Sequence, residues 1–154
     1  MKHRWAIVGM LALALTACQR PVYVELHEVP PSGWAQDSVQ TYRAEMTDTV
    51  QAYDVLITLR TDNHYPYQNI WLFLSMYRDS VLLVRDTIEG TLANERGEWL
   101  GKGNTYHDVR LLYDDGVRFD RAGAYTFTIE QGMRDEPLRG VVNVGMMITP
   151  TKTK

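Results

Sequence analysis

Cys18 is the sole thiol among 154 residues, so it has no partner for a disulfide and no companion for a cysteine zinc site. Three histidines follow it, His27, His64 and His107, and none shows His-x-His or His-x-x-x-His ligand spacing. His64 with Asp62, or His107 with Asp108, could meet a metal in the fold, but such pairs are ordinary at turns and strand edges, and no metal site is expected. Gly97-Glu-Trp-Leu-Gly-Lys-Gly103 invites comparison with a phosphate-binding loop and fails it. Three residues rather than four separate the first two glycines, and Gly103 stands where a Ser or Thr would reach the metal. The stretch reads instead as a turn in which Gly101 and Gly103 take positive φ beside Trp99. The carboxylates Asp114, Asp115, Asp120, Asp135 and Glu136 fall in expected loops, where solvated charge is the default. A hydrolase would need two of them facing each other across a cleft. Ser32, Ser38, Ser75 and Ser80 lack the Gly-x-Ser-x-Gly elbow. No catalytic residue is assigned.

The surroundings of Cys18 give the thiol a use. Lys2 and Arg4 supply a positive start, Trp5 to Leu15 form an uncharged apolar run, and Leu15-Thr16-Ala17 lead into the cysteine. Order and size are those of a secretory signal peptide. The run falls short of the roughly 20 residues of a permanent spanning helix. An ordinary leader needs no cysteine at its end, whereas Leu-Thr-Ala-Cys resembles the lipobox of bacterial lipoproteins, in which the cysteine becomes the new N-terminus and carries lipid. A thiol is the side chain most readily alkylated, and acyl chains stabilise membrane attachment by about 0.8 kcal/mol per buried CH₂. Residues 1–17 are therefore expected to be cleaved, and Cys18 to carry a covalent lipid in place of any cofactor.

Loss of Lys2 and Arg4 leaves 14 basic against 19 acidic residues, a net charge of −5. Such a chain has no electrostatic footprint for nucleic acid. The mature length suits one domain whose core must hold without disulfides.

Aromatic residues are the remaining candidates for a site. Tyr65-Pro-Tyr67 precedes an apolar segment, and Trp71, Phe73 and Tyr77 share one face of it. Core packing is the expectation for Trp71 and Phe73. Tyr65, Tyr67 and Trp99, beside turns, are the candidate contacts for a sugar, a peptide or a partner protein.

The elements that must position these residues read as β throughout. Val22, Val24 and Leu26 alternate with Tyr23, Glu25 and His27, before Pro30-Pro31-Ser32-Gly33 breaks the run. Trp34 to Asp48 has both helical and strand spacing, and strand is preferred. Tyr53 to Arg60 alternates up to the turn residues Thr61-Asp62-Asn63-His64. Asn69 to Tyr77 is apolar on both faces and reads as a central strand covered on both sides. After a turn at Arg78-Asp79-Ser80, Val81 to Ile88 is its antiparallel neighbour. Val109 to Tyr113 precedes a turn at Asp114-Asp115-Gly116. Alternations centred on Phe127 and on Val144 complete about eight short strands. The expected fold is all-β, a single antiparallel β-sandwich of immunoglobulin-like size, with a small closed barrel as the alternative. The expected organisation is a leader over 1–17, a lipidated N-terminus and first strand over 18–30, the sandwich over 31–150 and a polar tail over 151–154.

Taken together, the lipobox cysteine, Tyr65-Pro-Tyr-Gln-Asn-Ile-Trp-Leu-Phe73, Gly97 to Gly103, Gln131-Gly-Met-Arg134 and Leu138-Arg-Gly-Val-Val-Asn-Val-Gly145 resemble the GldH family of gliding-motility lipoproteins of the Bacteroidetes. The resemblance runs from about Tyr53 to Ile148. It implies a small, β-rich, non-enzymatic lipoprotein of the cell envelope, held to a membrane through Cys18 and working with other proteins of the gliding or an associated secretion machinery. Gln-Arg-Pro-Val-Tyr after Cys18 lacks the acidic run associated with export to the outer face, so a periplasm-facing orientation is expected. A lipid-anchored ligand- or glycan-binding sandwich using Tyr65, Tyr67 and Trp99 is the second functional expectation.

Overall fold

The structure, a computed structural model, describes residues 20–152, so the leader and Cys18 lie outside the described residues. Eight strands follow in chain order: β1 Tyr23–Glu28, β2 Gln40–Met46, β3 Tyr53–Asp62, β4 Asn69–Arg78, β5 Val81–Thr91, β6 Tyr106–Val117, β7 Gly123–Gln131 and β8 Val141–Pro150. They form two four-stranded antiparallel sheets with orders β1-β8-β3-β6 and β2-β7-β4-β5. The all-β sandwich expected from alternation is therefore what forms. Its winding is specific. β4 pairs with β5, β3 with β6, β2 with β7 and β1 with β8, so the chain is one long hairpin folded over into two sheets, the connectivity of a jelly roll.

Alternation supplies the inner faces. Tyr42, Ala44 and Met46 of β2, Val55, Ile57 and Leu59 of β3, Ile70, Leu72 and Leu74 of β4, Tyr125, Phe127 and Ile129 of β7, and Val144, Met146 and Ile148 of β8 are all buried between the sheets. Tyr42 ties the layers together by donating its hydroxyl to the Val144 carbonyl oxygen at 2.8 Å. Its phenol is pushed well above the ordinary tyrosine range by burial.

Four expectations change. In β1 the apolar half of the alternation points outward: Val24 and Leu26 are about half exposed, while Tyr23 and His27 face the other sheet. His27 is accommodated because its ring stacks on Tyr42, with centroids 4.5 Å apart, and its Nδ1 lies 3.1 Å from Gln40 Oε1. β4 is an interior strand covered on one face only. Trp71 is 40% exposed and Phe73 half-buried on the outer face, so neither is a core residue. Asp114-Asp115-Gly116 is not a turn. β6 runs through it by inserting an extra residue opposite β3 twice, and Gly116, at φ 68°, accommodates the resulting bulge. Gly101 does not adopt positive φ. It is glycine by close approach, since a Cβ there would lie 2.9 Å from the Asp108 carbonyl oxygen, whereas Gly97 and Gly103 do have positive φ.

The Asp79-Ser80 turn forms as expected, and it is strained. Both residues have positive φ, 48° and 65°, as a two-residue type I′ hairpin requires, and neither is glycine. An L-residue in this region costs about 1–2 kcal/mol. Ser80→Gly is therefore expected to raise the unfolding temperature by roughly 2–4 °C, and Ser80→Val to lower it, both readable by thermal unfolding followed by circular dichroism.

Candidate interaction surface at the loop-bearing end

Because each strand pairs antiparallel to its neighbours, strand polarity sorts the connections to the two ends of the sandwich. Residues 47–52, 79–80 and 118–122 connect strands at the end where β1 begins and β8 finishes. Residues 29–39, 63–68, 92–105 and 132–140 gather at the opposite end. The first end has links of two to six residues and both ends of the described residues, and the second has loops of six to fourteen residues. Long ordered loops on a rigid scaffold are where recognition is usually built.

These loops are held by specific contacts. Trp34 is completely buried; its backbone exchanges two hydrogen bonds with Leu138, at 2.8 and 3.0 Å, and its indole N–H donates to the Ser38 carbonyl oxygen at 2.8 Å. Gln131, also buried, accepts from the Met133 N–H at 2.8 Å and donates to the Asp135 carbonyl oxygen at 3.0 Å. Gln36 donates from its backbone to Glu136 Oε2 at 2.8 Å and from its side chain to the Met133 carbonyl oxygen at 2.9 Å. Gly140, at φ 81°, passes so close to the β3–β4 loop that a Cβ would lie 2.2 Å from the Tyr65 backbone nitrogen. Three of the four loops are thus locked to one another, which makes this end an ordered surface.

All three candidate aromatics are at this end. Tyr65 lies edge-on to Tyr67, with centroids 6.0 Å apart and planes at 77°, and 6.3 Å from Trp99 at 59°. Trp99 stacks on His107 at 4.5 Å and 13°. Tyr65 is buried and donates its hydroxyl to the Asn69 carbonyl oxygen at 2.7 Å, and burial holds its phenol above the ordinary range. Tyr67 is half-buried and donates to Asp135 Oδ1 at 2.8 Å, which raises its phenol in turn. The three rings form a packed cluster under the loops, with tilted planes and no flat exposed platform of the kind that sugars stack on. Sequence reasoning gave no structural role to Trp34, or to Gln131 beyond its place in Gln131-Gly-Met-Arg134. A tryptophan just after a Pro-Pro-Ser-Gly break was the available signal for the first, and nothing local marks the second.

Exposed chemistry at this end is modest. A cleft of about 620 Å³ lies over the end of the first sheet, bordered by Pro30, Pro31, His64, Tyr106 and Arg139. Tyr106 is about half exposed beneath the Arg60 guanidinium, 5.9 Å from its ring centre. Arg60 pairs with Asp108 at 2.7 and 3.0 Å and holds that carboxyl below its usual range. Among the described residues His64 pairs only with its neighbour Asp62, at 3.3 Å. His107 is buried with its Nε2 2.9 Å from Asn63 Oδ1. Among the described residues no three His, Cys, Asp or Glu side chains cluster as metal ligands. The carboxylates singled out for acid–base chemistry are divided between the two ends: Asp120 binds Arg78 and Tyr125 near the short links, while Asp135 and Glu136 serve as loop ties.

Residues 21–148 match the family described as GldH lipoprotein. The chain is 31% identical over 134 residues to a protein named gliding motility lipoprotein GldH homolog of Christiangramia forsetii, covering 82% of this chain and 80% of that relative. It is 29% identical over 150 residues to gliding motility lipoprotein GldH of Flavobacterium johnsoniae, covering 92% and 93% respectively.

Proposed function

The chain belongs to the GldH lipoprotein family, and from that premise we propose that it is a non-enzymatic, membrane-tethered component of the gliding machinery that presents its loop-bearing end to partner proteins. The observation that carries this reading is strand polarity. Lipid on Cys18 would anchor the end where β1 begins, and the locked loops occupy the other end. Only three residues lie between Cys18 and Val22, four steps of chain with a reach of no more than about 14 Å. β3, ten residues long, spans roughly 33 Å. The loops therefore stand some tens of ångströms from the lipid surface, within reach of neighbouring envelope proteins, with the periplasm as the facing compartment. Diacyl-type anchoring makes the attachment lasting without any spanning helix. Where the host does not glide, the same tether and surface suit a component of an associated secretion apparatus.

Leu100 is 56% exposed and Arg139 is exposed, and neither takes part in the loop ties. The variant Leu100→Glu/Arg139→Glu is expected to stay in the membrane and melt like the parent, yet recover at least tenfold less of the envelope proteins that copurify from gently solubilised native membranes. Val50→Glu, at an 81% exposed position among the short links, should recover them unchanged. Equal recovery by both variants would remove the loop-bearing end as the docking surface.

A further inference from the structure

The corner of the sandwich beside the start of β1 projects past the point where the chain enters. Val22 donates its N–H to the Ile148 carbonyl oxygen at 2.9 Å, so the chain arrives next to the last residues of β8. Tyr23 pairs with Ile148, which sets Val22 level with Thr149. β8 runs on past that level, and the Thr151 N–H donates to the Ala52 carbonyl oxygen at 2.8 Å. The β2–β3 link therefore stands at least two residues, about 7 Å, beyond Val22. Asp48 Oδ1 accepts the N–H groups of Val50 and Gln51, at 2.8 and 2.9 Å, in a turn that leaves Val50 81% exposed. Beside Val50 is a cleft of about 380 Å³ bordered by Asp48, Gln51, Arg118, Thr151 and Lys152. Arg118 Nε donates to the Val50 carbonyl oxygen at 3.2 Å. Neither Arg118 nor Lys152 has a carboxylate partner among the described residues.

We propose that this corner is seated in the headgroup layer of the membrane that holds the tether, with Val50 toward the acyl chains and a phospholipid phosphate between Arg118 and Lys152. The inference rests on the reading of Cys18 as the lipidated residue. The chain from Val22 to Cys18 reaches no more than about 14 Å. With the strands along the membrane normal, half of that reach is used in passing the β2–β3 link. The acylated residue then lies no more than about 7 Å beyond Thr151. Its acyl chains must enter the hydrocarbon, and each headgroup layer is only about 5–8 Å thick. The link is therefore held within that layer by the length of the tether. An exposed apolar tip flanked by cations suits the boundary, since Arg and Lys lay their stems along apolar surface and extend their charges to phosphate.

Charge is distributed to favour this corner over the rest of the same end. Arg20 and Arg121 add two exposed cations among the residues before β1 and before β7. Three of the carboxylates here are engaged by the fold. Asp48 is occupied by its own link, and Asp54 accepts from Thr151 Oγ1 at 2.5 Å and from the Gly116 N–H at 3.2 Å. Asp120 is held by Arg78 at 2.6 Å and by the Tyr125 hydroxyl at 2.9 Å. Asp79, Asp114 and Asp115 lie on the β4–β5 turn and on β6. β5 and β6 are the edge strands on the side of the sandwich away from β1, where Tyr113 donates to Asp86. The acidic edge is thus the one farthest from the tether.

With Cys18 acylated, an introduced cysteine is the only free thiol in the mature chain. The test adds the full-length lipidated protein to preformed vesicles of equal parts phosphatidylethanolamine and phosphatidylglycerol, then a charged maleimide that does not cross bilayers. Val50→Cys is expected to react at least fivefold more slowly on the vesicles than after detergent dispersal. Thr41→Cys, exposed on the outer face of the second sheet, should react at the same rate in both. Adding Arg118→Glu and Lys152→Glu to Val50→Cys should restore at least half of the lost rate at an unchanged melting temperature. The same protection of Val50→Cys is expected in opened native membranes. A Val50→Cys rate on vesicles equal to that in detergent would overturn the proposal. Protection confined to native membranes would overturn it too, since another protein then covers the corner, and protection unmoved by the two charge reversals would remove the phosphate contact. Failure of the lipidation reading is distinguishable, because the chain would then not sediment with the vesicles before any reagent is added.

Discussion

Cys18→Ala is expected to reduce metabolic labelling of the chain with a radioactive fatty acid to background. The effect is expected to be large because, on the proposed reading, one side chain carries the whole attachment. At about 0.8 kcal/mol per buried CH₂, two long acyl chains contribute on the order of 20 kcal/mol, so attachment is effectively permanent with them. No described helix is long and apolar enough to cross a membrane and substitute for the lipid. The variant should also fail to show the mass of a chain that starts at an acylated residue 18. Fatty-acid label that persists in Cys18→Ala, or a wild-type chain that never takes it up, contradicts the assignment.

The second large effect is expected at Trp34. Truncation to alanine removes a completely buried indole, empties the space between the β1–β2 and β7–β8 loops and leaves the Ser38 carbonyl oxygen with only the longer bond from the Gln40 amide, at 3.2 Å. Large-to-small aromatic substitutions of this kind cost about 3–5 kcal/mol, a large fraction of the 5–15 kcal/mol that holds a typical domain. The loss should be concentrated at one end. Hydrogen exchange in Trp34→Ala is expected to accelerate first over residues 29–39 and 132–140, with β3 and β8 remaining protected until global unfolding. Trp34→Phe should retain much of the packing and lose mainly the indole hydrogen bond. If exchange rises uniformly across both ends of the sandwich, Trp34 is a general core residue and not the lock of the loop surface. Partner recovery by Trp34→Ala should fall along with loop protection, since the proposed docking surface is the one Trp34 holds in shape.

Much of the architecture was legible because period-two alternation is a local property. Tyr42-Arg-Ala-Glu-Met46, Tyr53 to Leu59 and Tyr125 to Ile129 alternate as written, and they bury the residues that alternation picks out. Pairing is not local. Nothing in Val141 to Ile148 says that β8 inserts between β1 and β3, which is what makes the sandwich a jelly roll. Faces are also ambiguous where polar groups find partners. In β1 the stacking of His27 on Tyr42 makes the polar half the inner one, so an apolar row that reads as core becomes exposed surface. Asp114-Asp115-Gly116 carries turn chemistry that a bulged strand can also use, with Gly116 in the same positive-φ conformation. Of the site, Tyr65, Tyr67 and Trp99 were identifiable as aromatics beside turns, and the fold brings them together from two separate loops. That they pack under the loops rather than on top of them depends on Tyr65 donating to Asn69 and Trp99 stacking on His107, contacts between positions that sequence spacing does not relate. The reading of Cys18 rests on its immediate flanks alone, and the residue lies outside the described part of the structure.

The distribution of lysines allows a direct test of the central claim, that the tethered end and the partner-facing end are opposite. Beyond residue 17 the only lysines in the sequence are Lys102, Lys152 and Lys154. Lys102 lies exposed in the β5–β6 loop at the loop-bearing end, and Lys152 follows β8 at the opposite end, where β1 begins. Amine-reactive crosslinking of intact native membranes, read by mass spectrometry, therefore samples the two ends separately. The expected result is that crosslinks to other envelope proteins arise from Lys102. Crosslinks to such proteins arising from Lys152 and Lys154 while Lys102 stays unlinked would contradict the proposed polarity.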